Sequence, residues 1–161
     1  MRRFLAIPLL ILLAACNPVA NLGSSEEKVE RFHQLYNKSD VDGMWQFIGP
    51  KFKEVTTKQQ LADLVEVVQA RLGPVKSSER GNFNVNSSPG GTTTVIQMNT
   101  QYELGEGSEV FTFLGNGEDM QLVGWNVNSP RLMITPDDLK NSSPLDEESE
   151  AAPGEPATIA D

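Results

Sequence analysis

Apolar and polar residues alternate along this chain with two successive periods, and the change of period divides the fold. Val29, Phe32, His33 and Tyr36 fall at i, i+3, i+4 and i+7, one face of an amphipathic helix. Ser24-x-x-Glu27 before them has capping-box spacing, so the pattern predicts a helix opening near Ser24. Asn37 to Asp40 breaks it. A shorter helix starting at Asp40 would carry Val41, Met44, Trp45 and Ile48 before Gly49-Pro50, and Lys51 to Val55 suits a further turn. Thr57-x-x-Gln60 is a second capping box, followed at helical spacing by Leu61, Leu64, Val65, Val68 and Leu72. Gly73-Pro74 then stops the helix, which predicts a helix over 58–72.

Beyond Pro74 the period falls to two. Asn82 to Asn86 alternates strictly, placing Phe83 and Val85 on one face. Ser87 to Gly91 is a turn. Thr92 to Leu104 reads as a long strand with Ile96, Met98, Thr100 and Tyr102 on one side and Gln97, Asn99 and Gln101 on the other. Glu109 to Leu114 and Met120 to Asn128 complete a set of four, the latter two joined across an Asn-Gly pair, a hairpin signal. Short loops between consecutive strands favour antiparallel neighbours. The expected fold is α+β: N-terminal helices packed on a curved four-stranded antiparallel meander.

Both ends depart from these periods. Met1-Arg2-Arg3 precedes Phe4 to Ala15, an uncharged, mostly apolar run with Pro8 inside it. A basic start, an apolar middle and small residues at the end make a secretory signal; the run falls short of the roughly 20 residues needed to span a bilayer. At the other end, five prolines punctuate the stretch after Ser129, and from Pro136 onward eight acidic residues face a single lysine. Such a composition buries too little apolar surface to offset its ordering entropy. The expected division is therefore a signal peptide over 1–15, Cys16 and a linker over 16–23, the α+β domain over 24–128, and an acidic, mostly disordered tail over 129–161. A linker of that length would reach about 25–30 Å from the anchor point.

Charge and cysteine content narrow the partners. The 161 residues carry a formal net charge of −9, and loss of the leader with Arg2 and Arg3 would leave −11. A chain this acidic without a basic cluster is a poor nucleic-acid binder. Cys16 is the sole cysteine. With that thiol modified, neither a disulfide nor a cysteine metal site is available, and one histidine with scattered carboxylates predicts no metal and no cofactor.

Leu13-Ala14-Ala15-Cys16 at the end of the apolar run resembles the lipobox of bacterial lipoproteins. The resemblance implies signal-peptidase recognition of Leu13, Ala14 and Ala15, and cleavage before Cys16. It also implies acyl chains on Cys16 that hold the protein in the cell envelope; two or three chains anchor where one binds only marginally. Asn17, in place of an aspartate, implies the outer membrane facing the periplasm in a Gram-negative source. The Phe32-to-Tyr36 helix, Met44-Trp45, the Leu61-to-Leu72 helix and the closing Gly124-Trp125-Asn126-Val127 together resemble the cone-shaped, cystatin-like fold of the nuclear-transport-factor-two-like superfamily. Members enclose a pocket between helices and sheet, and some use it for acid–base catalysis. Fold alone does not assign the activity.

Candidate chemistry is sparse. His33 acts as a general base only if a carboxylate orients it; Asp40 and Asp42 are nearest in sequence. Otherwise it is a histidine at the core edge bonded to backbone or water, and the spacing favours that second reading. Glu103, Glu106, Glu109, Glu118 and Asp119 are all expected at turns, in solvent. Tyr36, Trp45, Tyr102 and Trp125, with His33, are candidate lining of a pocket mouth, and equally ordinary core residues. The sequence thus predicts a membrane-anchored lipoprotein that binds a small apolar ligand or an envelope protein without catalysis, with a hydrolase- or isomerase-type enzyme as the alternative.

Overall fold

The computed structural model describes residues 18–133. Leu13, Ala14, Ala15 and Cys16, and the acidic segment from 134, lie outside the described residues. Four helices come first: α1 (Pro18–Asn37), α2 (Val41–Phe47), α3 (Pro50–Lys53) and α4 (Lys58–Leu72). Four strands follow: β1 (Val75–Ser88), β2 (Gly91–Tyr102), β3 (Glu106–Leu114) and β4 (Gln121–Asn128). They form one antiparallel sheet in the order β1-β2-β3-β4, unclosed, with β1 and β4 at its edges. The expected α+β architecture is the one observed.

α4 spans the residues its pattern predicts because local chemistry fixes both ends. The Thr57 side chain accepts from the Gln60 N–H while the Gln60 side chain accepts from the Thr57 N–H. Gly73 closes the helix at φ +75, a conformation in which a Cβ costs energy. Between these caps Leu61, Val65, Val68 and Leu72 are buried. They join Phe32, Tyr36 and Met44 from the other helices and Ile48, just beyond α2, facing Ile96, Met98, Tyr102, Phe111, Phe113, Leu122 and Trp125 from the sheet. β2 buries alternate residues from Thr92 to Tyr102, in the phase its sequence predicts.

Three boundaries differ from expectation, each for a tertiary reason. The linker expected over 16–23 is helical from Pro18, and Ser24 lies inside α1 instead of capping it. Proline is tolerated in a first helical turn, and Asn21 and Ser25 are buried there with hydrogen bonds, while Leu22 packs on the core. β1 begins at Val75, seven residues before its alternating stretch. As an edge strand open to solvent, it pairs through its backbone whatever its side chains are, with register shifts between Val75 and Ser77 and between Arg80 and Phe83. Residues 129–133, expected to belong to the tail, pack on the domain. Ser129 is buried and donates to the Glu106 carbonyl at 2.6 Å, and Leu132, in a 3₁₀ turn at Pro130–Leu132, packs against the core.

Candidate functional site

α1 carries His33 one turn from Val29 and beside Phe32, on the face turned to the sheet. Packing leaves the ring 8 % exposed, with Phe111 edge-on at 5.7 Å. Its Nε2 lies 2.7 Å from Glu109 Oε2. Glu109 is 1 % exposed. It shares a face of β3 with Phe111 and Phe113, deep among aromatic side chains, where an unpaired carboxylate would be very costly.

Three donors offset that cost. His33 and the Thr100 hydroxyl, at 2.5 Å, reach Oε2, and Trp125 Nε1 donates to Oε1 at 2.9 Å. Ser78 Oγ lies 2.8 Å from Thr100 Oγ1. With the Thr100 proton committed to Glu109, Ser78 is the donor of that pair. Burial raises the Glu109 carboxyl, but the His33 hydrogen bond and charge, then Thr100 and Trp125, outweigh it, so the carboxyl is held below its ordinary value. Glu109 is therefore an anion at neutral pH. It keeps the proton on Nε2 of His33, which leaves Nδ1 as the nitrogen available to a visiting group.

The tyrosines on either side are locked neutral. Burial, then the Glu109 charge, raises both hydroxyls. Tyr36 donates to the Gly73 carbonyl at 3.0 Å. The buried Tyr102 hydroxyl feels the Glu109 charge but reaches no partner at hydrogen-bonding geometry.

His33 opens on a cleft of about 420 Å³ between α1 and β1. Val29, His33 and Met98 line its depth, and Gln34, Lys76, Ser77 and Ser78 its sides. Arg80 bridges to Glu26 at 2.9 Å at one end. At the other, the Asn37 carboxamide pairs with both the N–H and the carbonyl of Val75, at 2.8 and 2.9 Å. From Glu26 to Asn37 the helix advances about 16 Å, room for a short extended segment or a small polar molecule. A larger hollow of about 600 Å³ lies against Asn99, Gln101 and Ser108 on the other side of the sheet, with Glu79 and Glu106 in its wall. It brings no histidine to its carboxylates, so the α1–β1 cleft is the chemically equipped one.

Of the five residues expected at a pocket mouth, His33 is the one that reaches this cleft. Tyr36, Tyr102 and Trp125 are buried in the core, Tyr36 and Trp125 with ring centroids 6.2 Å apart. Trp45 packs half-buried on α2, with Lys53 Nζ 5.4 Å from its ring centre. Two expectations are corrected. Glu109 is not a solvated turn residue, and the carboxylate that orients His33 is neither Asp40, which caps α2 through the Gly43 N–H, nor Asp42, which pairs with Lys58. Glu109 alternates in phase with Phe111 and Phe113, and that phase is the signal that places it inward. Among the described residues no group of His, Cys, Asp and Glu is arranged to hold a metal ion, and no helix is long and apolar enough to cross a membrane. No protein-family model and no curated protein matches the chain.

Proposed function

We propose that the chain is a lipid-anchored envelope protein whose domain binds a polar ligand or an extended segment of another envelope protein in the α1–β1 cleft. The observation that carries the binding reading is the cleft itself, whose rim is charged and polar while His33, with Nδ1 free of Glu109, stands inside it. Its volume falls in the range of ligand sites. The aromatic residues expected to receive an apolar ligand are spent on the core, which shifts the reading from an apolar ligand to a polar one. Anchoring rests on Leu13-Ala14-Ala15-Cys16; helices on an antiparallel sheet are compatible with the cone-shaped superfamily fold. The test is in-cell photo-cross-linking from Gln34 and Lys76, with Gln59, exposed in the first turn of α4 and outside the cleft, as the control. Adducts to a discrete species from the cleft positions alone are expected; none, or the same set from Gln59, refutes the reading. For the anchor, Cys16→Ala should release the protein from membranes, and a variant still firmly bound refutes it.

A second reading, acid–base catalysis, is favoured by the 2.7 Å His33–Glu109 contact. A carboxylate behind an imidazole that faces a cleft is the arrangement a general base needs. Hydrolysis of p-nitrophenyl acetate above the free-imidazole rate, abolished in His33→Asn, would support it. A rate unchanged by that substitution refutes it.

A further inference from the structure

The start of α1 fixes which end of the domain meets the membrane. We infer that the end formed by the first turn of α1, the β1–β2 tip and the β3–β4 turn lies against the bilayer that holds Cys16, with the α1–β1 cleft raised above the surface. The inference rests on the lipid-anchor reading of Cys16.

Three observations lead to it. First, α1 begins at Pro18, two residues after Cys16, so the tether spans at most about 7 Å, a quarter of what a linker to Gly23 would allow. Second, the first turn of α1 is fastened to one end of the sheet. Asn21 Nδ2 donates to Asn116 Oδ1 at 3.2 Å, and Asn21 Oδ1 accepts from the Gly117 N–H at 2.7 Å. The Gly115 N–H in turn donates to the Thr92 carbonyl at 2.8 Å, which puts the β1–β2 tip at that same end. The anchored helix therefore carries the sheet end with it.

Third, the β1–β2 tip is uncharged. From Gly81 to Gln97, the distal half of the β1–β2 hairpin, no residue is charged, in a chain of net charge −9. The acids at this end of the sheet are Glu118 and Asp119, in the β3–β4 turn beside it. Lys76, Glu79, Glu103, Glu106 and Arg131 gather toward the opposite end. An uncharged arm meets anionic headgroups without the repulsion that the acidic remainder would suffer.

The geometry then selects the occupant of the cleft. Glu26 stands about 12 Å, and Asn37 about 28 Å, along α1 from Pro18. At that height the cleft opens to water, so it takes a molecule arriving from the aqueous phase rather than an acyl chain from the same bilayer.

The test uses the full, acylated protein, its diacylglycerol-bearing Cys16 first verified by mass. Absence of that modification overturns the anchor reading itself, and this inference falls with it. Because the native cysteine is then blocked, a single new cysteine takes an environment-sensitive fluorophore. Pro89→Cys and Glu118→Cys report the proposed near end and Glu103→Cys the far end. β2, of 12 residues, separates the ends by about 35–40 Å. In vesicles of phosphatidylethanolamine and phosphatidylglycerol containing nitroxide-headgroup lipid, the near labels should be quenched several-fold more than the far one. Equal quenching, or more at Glu103, overturns the orientation. Inserting twelve Gly/Ser residues after Asn17 should bring the near labels toward the far value; quenching unchanged by the insertion overturns the role of the short tether.

Discussion

α1 and α4 are both long amphipathic helices, yet they are held by different physics. α4 buries an aliphatic stripe of Leu61, Val65, Val68 and Leu72 between two sequence-coded caps. Its C-terminal half adds polar ties, where Gln69 donates to the Tyr36 carbonyl and accepts from Ser39, and the Leu72 carbonyl accepts from the Leu104 N–H. α1 buries Val29, Phe32, Leu35 and Tyr36, but also Asn21, Ser25 and His33. Two of these polar groups find their partners far along the chain, Asn21 at 116 and 117 and His33 at 109. Apolar contacts tolerate sliding, whereas hydrogen bonds made away from water do not. α4 is thus a supporting helix, and α1 is the one whose position against the sheet is specified. The cleft and the histidine lie along α1.

That contrast can be broken most directly at Glu109. Glu109→Ala strips the hydrogen-bond partner from His33, Thr100 and Trp125 at once and should cost at least about 3 kcal/mol, since each buried polar group left unsatisfied costs about 1–3 kcal/mol, measured by urea unfolding. Leu72→Ala, the matching cut in the α4 seam, should cost about 2–5 kcal/mol as a cavity. The sharper expectation is that only the first alters the surroundings of the His33 ring, seen in its NMR resonances. If Leu72→Ala moves them equally, the two seams are not separate.

Acid provides a second separation. Because the Glu109 carboxyl is held below its ordinary value in the fold, its contribution is present above the unfolded carboxyl value. It is lost as pH falls through the depressed folded value. Thermal melts from pH 7 to pH 2 should therefore lose an acid-sensitive component in Glu109→Gln and keep it in Leu72→Ala. The buried tyrosines act at the other extreme. With Tyr36 and Tyr102 raised, the stability they confer is intact below about pH 10 and lost as pH climbs above the unfolded tyrosine value.

Smaller effects refine the comparison. Thr57→Ala removes the α4 cap and should cost about 1 kcal/mol, leaving the cleft unchanged. Asn37→Ala frees the edge groups of Val75 for about 0.5–1.5 kcal/mol. It should speed amide exchange along the first residues of β1 while leaving α4 unaffected. A uniform change over both helices would argue against the division.

What could be read in advance divides along the same line. The caps and stripe of α4, the phase of β2 and the meander order are local or nearest-neighbour properties, and the sequence determined them: backbone periodicity and turn chemistry act over a few residues. Cys16 and its preceding residues are likewise a local pattern. Only the tertiary structure decided that the segment from Pro18 is helical, because the buried Asn21 within it is satisfied by the β3–β4 turn. Only it decided that β1 extends through a polar stretch, since an edge strand borrows its order from its neighbour. Glu109 is the plainest case. A glutamate at a strand end reads as solvated, since burying a charge without partners is prohibitive. His33 lies 76 residues away in sequence, and Thr100 and Trp125 come from two other strands. Their convergence is what makes burial affordable, and no window of sequence contains it.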